Sequence, residues 1–287
     1  MIYLILAIIS SAAISVLMRL SDKYIKNNMV MFAANYAACG ILSLIFLAID
    51  GEATKIFGGT EQMSGMTFAV ILGIISGILY LGSFMLLQFN IRKNGVVLAA
   101  TFMKLGVLVP VLMSILLGWD KPTALQIIGC VAAIAAIVII NGEGKVEKGS
   151  SFAGILLVSL LLVGGFTDSL SNIYDKLGDP GLKNMYLLCI FVAAIASSIC
   201  LAIVKKQRFT GKDAFWGVLI GIPNYFSARF LLYALGSVPA IVAYPVYNIT
   251  VILIVSVLGS LLFKESASRR KKLGIGVILL AILLLNL

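Results

Sequence analysis

The sequence predicts an all-α integral membrane protein with ten transmembrane helices, arranged as two inverted five-helix repeats. Composition is the first observation: of 287 residues, 61% are hydrophobic and 12% charged, with mean hydropathy +1.10. A soluble domain carries about twice that charge. The second is spacing. Apolar runs long enough to cross a hydrocarbon core of about 30 Å follow one another, and no gap between them would hold a soluble domain. The third is pattern: the runs lack the alternation of barrel strands, and open strands cannot span lipid.

In chain order, the first run, 2–19, has no basic leading segment and no small-residue cleavage site, so it is expected to be retained as a span. Runs at 29–49 and 65–90 follow, the third bearing Tyr80 and Gln88. The fourth, 95–118, overlaps the stretch Val96–Trp119, whose only charge is Lys104; it also contains Pro110. The fifth, 123–141, and the tenth, 270–286, are almost purely Ala, Ile, Leu, Val and Gly. They offer a substrate nothing polar and suit an outer scaffold or a homodimer contact. The sixth, 152–173, carries Asp168 and Asn172. The seventh is 185–204, and the eighth, 214–235, holds Pro223, Tyr225 and Arg229. The ninth, 239–263, brings Tyr244, Pro245, Tyr247 and Asn248.

Shifting the chain by 145 residues lays Tyr80 on Tyr225, Asp120 on Glu265, Gly129 on Gly274 and Asn141 on Asn286. This register divides the chain into a first repeat, 1–141, a linker, 142–151, and a second repeat, 152–287. Five spans per repeat is an odd number, so the second repeat enters the membrane in the opposite sense. Loop charge agrees. The loops after odd-numbered spans, with their flanks, hold sixteen Lys and Arg against four in the even-numbered loops. By the positive-inside rule the odd loops are cytoplasmic and both termini face outward, in a multi-pass protein of the cell membrane. Inverted repeats of this kind are characteristic of secondary transporters.

The ends of spans four and nine, LLGWDKPTALQIIG and LLFKESASRRKKLGIG, together with the ten-span inverted pattern, resemble the EamA-like members of the drug/metabolite transporter superfamily. The segment TFMKLGVLVPVLMSILLGWDK is similar to the fourth span of nucleotide-sugar transporters. That resemblance implies a lysine facing the substrate at Lys104. Phe84–Asn90, FMLLQFN, resembles their preceding span more loosely.

Three charges lie well inside the spans: Lys104, Asp168 and Arg229. A charge in hydrocarbon is costly unless it meets water or an opposite charge. Arg229 stays protonated, and one acid neutralises only one base. The count therefore leaves a surplus cation: either Lys104 is neutral when the site is empty, or the site takes an anionic group from the substrate. Lys104 and Arg229 are the candidates to hold a carboxylate or phosphate of the substrate, Asp168 to take a proton or a substrate ammonium, and Lys104 and Asp168 accordingly the candidates for proton coupling. Snorkelling by either base, or an Asp168–Arg229 structural pair, is the plainer alternative. Around these charges, Tyr80, Gln88, Asn172, Tyr225, Tyr244, Tyr247 and Asn248 could line a substrate site, or simply bond helix to helix. Pro110, Pro223 and Pro245 each remove a backbone hydrogen bond and are candidate hinges.

These features predict a secondary active transporter moving a small polar, anion-bearing metabolite, an amino acid or organic anion, by alternating access. Export of organic cations, or carriage of nucleotide-linked or phosphorylated compounds, is the alternative. No cofactor or metal is expected, because His is absent and Cys39, Cys130, Cys189 and Cys200 lack CxxC spacing. The net charge of +10 sits in short gaps between apolar runs. That distribution fits membrane lipid as a partner and not nucleic acid. An embedded enzyme would need paired carboxylates or a nucleophile–base set, and no DDxxD or GxSxG motif occurs. A non-transporting receptor or helper subunit is the remaining rival.

Overall fold

The computed structural model describes residues 1–21, 24–52, 62–94, 96–141, 151–263 and 269–285. The expected linker, apart from Ser151, lies outside them. The described helices are α1 (Ile2–Ser21), α2 (Asn28–Ile49), α3 (Gln62–Asn94), α4 (Val96–Leu105), α5 (Leu108–Leu116) and α6 (Ala124–Asn141). They continue with α7 (Ser151–Leu177), a 3-10 turn (Pro180–Leu182), α8 (Lys183–Val204), α9 (Gly211–Leu235), α10 (Ala240–Phe263) and α11 (Arg269–Leu285). No strand occurs among the described residues. Among the described residues, six helices are long and apolar enough to cross a membrane: Ile2–Ser21, Asn28–Ile49, Ser64–Leu87, Gly154–Leu177, Pro180–Val204 and Gly211–Leu235. Shorter apolar helices occupy Phe102–Leu116, Ala124–Ile139, Ala240–Val255 and Lys272–Leu285. The outward stripe of α3, with Ile71, Ile74, Ile75 and Ile78 all exposed, is what a lipid-facing helix presents.

The chain forms two compact units, and each draws on both halves of the sequence. One comprises Ile2–Leu81 and Ile173–Gly236; the other comprises Gly82–Asn172 and Ser237–Leu287 with Met1.

In the first unit α2 packs against α9 and α8, and α1 packs against α9. Two glycine pairs at spacing four make its closest approaches. A Cβ on Gly217 would fall 2.3 Å from the Met31 carbonyl oxygen, and one on Gly221 2.5 Å from that of Asn35. Gly73 and Gly77 of α3 meet α8 the same way, with Gly77 only 2.3 Å from the Ile190 carbonyl oxygen by the same measure. Without a hydrophobic force between helices in lipid, such backbone contacts supply the packing energy. Gly77→Ala is expected to lose most of the monodisperse peak in size-exclusion chromatography. Gly82→Ala, on the same helix with nothing within 4 Å, should not.

Carboxylates tie helix N-termini across the chain. Asp213, fully buried, accepts from the Lys26 amide at 2.9 Å and the Asn27 amide at 3.2 Å, just before α2. Glu52 accepts from the amides of Asn184 and Met185 in the first turn of α8 at 3.0–3.1 Å. Each satisfies N–H groups that have no partner inside their own helix.

In the second unit α6 and α11, the apolar terminal spans, pack against one another, with Gly129 seated on Leu284 and Leu285. Asp120, the acid that closes the fourth span, accepts from the Ile241 amide at 3.0 Å and so caps α10.

Candidate functional site

The expected fourth span, 95–118, is two helices rather than one. Pro110 has no N–H to return to the Gly106 carbonyl, which instead accepts from the Val109 amide at 3.0 Å. The Gly106 amide itself reaches only to Met103, at 3.2 Å. The chain therefore turns at Gly106–Val107, between α4 and α5. The turn is pressed against α7: a Cβ on Gly165 would lie 2.5 Å from the Gly106 carbonyl oxygen, and one on Gly106 3.1 Å from the Gly165 nitrogen. This contact explains the site. Lys104 lies two residues before one glycine and Asp168 three residues after the other, so both charges come to the same level of one unit.

Lys104 Nζ donates to Asn248 Oδ1 of α10 at 3.2 Å. One turn earlier on α10, the Tyr244 hydroxyl donates to the Asp168 backbone carbonyl at 2.7 Å. Asn248 Nδ2 in turn donates to the Tyr244 carbonyl at 3.1 Å. Lys104 and Asp168 act on each other electrostatically, yet among the described residues no ion pair joins them. Asn172, one turn beyond Asp168, is fully buried, and neither its amide nitrogen nor its amide oxygen has a partner. Tyr247 lies on α10 beside this cluster, half-buried. The side chain of Gln88 lies outside the described residues.

Tyr80, Tyr225 and Arg229 belong to the other unit. The Tyr80 hydroxyl donates to Asn224 Oδ1 at 3.4 Å, and Asn224 donates to Asn35 at 2.8 Å. Arg229 is the main difference from expectation. Its partner is Asp50, one residue past the end of α2, at 2.7 Å. The guanidinium also bonds Asn184 and the Tyr225 hydroxyl, and lies 4.3 Å from the Phe46 ring centroid. Asn184 further donates to Asp50 at 2.8 Å and to Glu52 at 2.9 Å. Beside it Lys183 pairs with Asp175 at 3.1 Å. The expected surplus cation is thereby removed from the charge count: Asp50 answers Arg229, and Asp168 faces Lys104.

The carboxylates of this clasp respond to pH in opposite senses. Burial pushes Asp50 upward, but the hydrogen bonds from Arg229 and Asn184 outweigh it and hold the group below its ordinary 3.8. Its stabilising contribution is present above that value and is lost as pH falls through the lower folded one. Burial dominates at Glu52 and raises it above 4.5, so its contribution is present below 4.5 and lost as pH rises through the folded value. In melting curves against pH, Asp50→Asn should flatten the acid-side loss and Glu52→Gln the loss on the less acid side.

Of the candidate hinges, Pro110 lies in the first turn of α5, just past the break from α4, whereas Pro223 and Pro245 lie inside continuous α9 and α10. Asp50 escaped sequence reading because it stands at a span boundary, and Asp120 because an acid closing a span reads as punctuation.

Comparison with known proteins gives a family match over the second half of the chain. The profile of the EamA-like transporter family matches residues 152–287. An uncharacterized protein of Haemophilus influenzae is 26% identical over 279 residues, covering 95% of this chain and 93% of its own. A protein of known crystal structure superposes with a TM-score of 0.77 at 11% identity, over 99% of this chain and 94% of that one, which shows a shared fold. Residues 152–287 of this multi-pass membrane protein thus match the EamA-like transporter family.

Proposed function

We propose that the protein is a secondary active transporter that moves a small polar metabolite bearing an acid group by alternating access, with Lys104 receiving that group. The observation that supports this reading is Lys104 itself. It is an ammonium on a broken membrane helix, held by one neutral amide and paired with no carboxylate among the described residues. Discontinuous helices beside polar groups are where transporters of inverted-repeat design bind cargo. Asp168, facing Lys104, is the group placed to exchange a proton as cargo arrives and leaves. The halves 1–141 and 152–287 would be the inverted repeats, with the basic loops at the cytoplasmic face of the cell membrane. Proteoliposomes preloaded with candidate acids and amino acids test the reading by counterflow. Labelled cargo should accumulate in them and not in protein-free liposomes. Absence of accumulation across the panel would overturn it.

A further inference from the structure

Independently of the cargo, we infer that one end of the first unit is a docking site for anionic phospholipid headgroups. Two segments build it: 24–29, leading into α2, and 205–216, which joins α8 to the start of α9. Lys26, Lys205, Lys206, Arg208 and Lys212, all exposed, would meet the lipid phosphates. The rings of Tyr24, Phe209 and Trp216 would lie among the headgroups beside them.

Segments far apart in sequence are locked here into one platform. The Asn27 side-chain amide donates to the Arg208 carbonyl at 3.0 Å, and the Met29 amide to Gln207 Oε1 at 3.1 Å. The single carboxylate of the two segments, Asp213, is buried and taken up by the Lys26 and Asn27 amides. No ion pair among the described residues involves any of the five bases. At the opposite ends of α8 and α9, by contrast, Lys183 and Arg229 each meet a carboxylate. Like charges fixed side by side repel, so the platform favours a counter-anion.

Lys206 is the independent observation. Among the described residues it is the one non-glycine with a positive φ, 49°. Its amide and that of Gln207 close the end of α8 on the carbonyls of Ile203 and Ala202, at 2.9 Å each. The ends of α2 and α5 turn the same way, and there the residue is glycine: Gly51 and Gly118, both at 70°. Glycine takes this left-handed position without strain, whereas a lysine does not. The rings then select lipid over a soluble anion. Tyr24 and Trp216 stack with centroids 5.7 Å apart, and Phe209, beside Arg208, is 77% exposed. Tyr and Trp suit the headgroup level, and a bare phenylalanine among bases suits the boundary with the acyl chains. Loop charge also predicts this end to be the cytoplasmic one, the side on which membranes carry anionic lipid.

The test reads the melting temperature of the purified full chain in detergent micelles doped with dioleoyl phosphatidylglycerol or, in parallel, dioleoyl phosphatidylcholine. Phosphatidylglycerol should raise it by several degrees more, and added salt should shrink the difference. Lys205→Gln, Lys206→Gln and Arg208→Gln combined should weaken the phosphatidylglycerol titration roughly 10-fold or more, since each base near an anionic surface is worth roughly fivefold. Lys121→Gln, which neutralises an exposed base of the other unit, should leave the titration unchanged. Lys206→Gly should hold or raise the melting temperature in phosphatidylcholine while reducing the phosphatidylglycerol shift. That single variant decides the matter even if the triple variant folds poorly. The inference is overturned by equal shifts from the two lipids, or by a triple variant that keeps the preference. It is also overturned if Lys206→Gly melts lower in phosphatidylcholine or keeps the full phosphatidylglycerol shift. An equal shift from soluble glycerol phosphate or polyglutamate would overturn it too, by pointing to a free anion or an acidic protein as the occupant.

Discussion

Lys104→Gln is expected to abolish counterflow while leaving membrane insertion and the size-exclusion profile unchanged. Glutamine is one bond shorter but keeps an N–H donor for Asn248, so a small side-chain adjustment can preserve the bond between α4 and α10. What disappears is the charge. A charged side chain well inside a span carries an insertion penalty of about 3 kcal/mol, so neutralising it should not harm folding. A charge-assisted bond to a cargo carboxylate, in contrast, contributes about 1.5–3 kcal/mol, and its loss weakens binding roughly 10- to 100-fold. Stability held or raised together with transport lost is the signature of a functional ammonium. Normal counterflow by the variant would remove Lys104 from the site.

Arg229→Gln should do the opposite, lowering stability by about 2–4 kcal/mol with little effect on cargo affinity. The substitution leaves Asp50 without its cation and Asn184 without its donor, and it strips a guanidinium from the face of Phe46. The guanidinium is buried although Asp50 is exposed, so the loss comes from its hydrogen bonds to Asp50, Asn184 and Tyr225, of which a charge-assisted one contributes about 1.5–3 kcal/mol. A double-mutant cycle with Asp50→Asn, read in melting temperature, should show coupling well above the scatter of additive sites. If Arg229→Gln melts like the wild type and fails to bind cargo, the guanidinium serves the substrate, as the sequence alone suggested.

That contrast marks how far the sequence could be read. Hydropathy located the helical body, because run length and charge exclusion are local properties. Lys104 and Asp168 stood out for the same reason: a charge in an apolar run is visible without its neighbours. Arg229 stood out too, but its partner lies 179 residues away at the lip of a helix, and no local pattern announces such a pair. Grouping polar residues by span merged two sets that belong to different units, because depth along a helix says nothing about which neighbours it meets. Pro110 was recognised as removing a hydrogen bond. That the helix would stop there depended on Gly165 of α7 pressing against the turn, a tertiary fact. The paired glycines at 73 and 77, and at 217 and 221, were not singled out from the sequence, although spacing four puts both of a pair on one helix face, a close-packing signal.

Those glycine seams also restrict how the first unit can deform. Where main chain rests on main chain, no rotamers are available to re-sort, and sliding α3 along α8 by one residue would drive Cβ atoms into carbonyl oxygens. The two pairs behave as welded beams. On the transporter reading proposed above, a stroke would be absorbed where backbone bonding is already interrupted, and within the other unit the joint between α4 and α5, beside the lysine, is such a place.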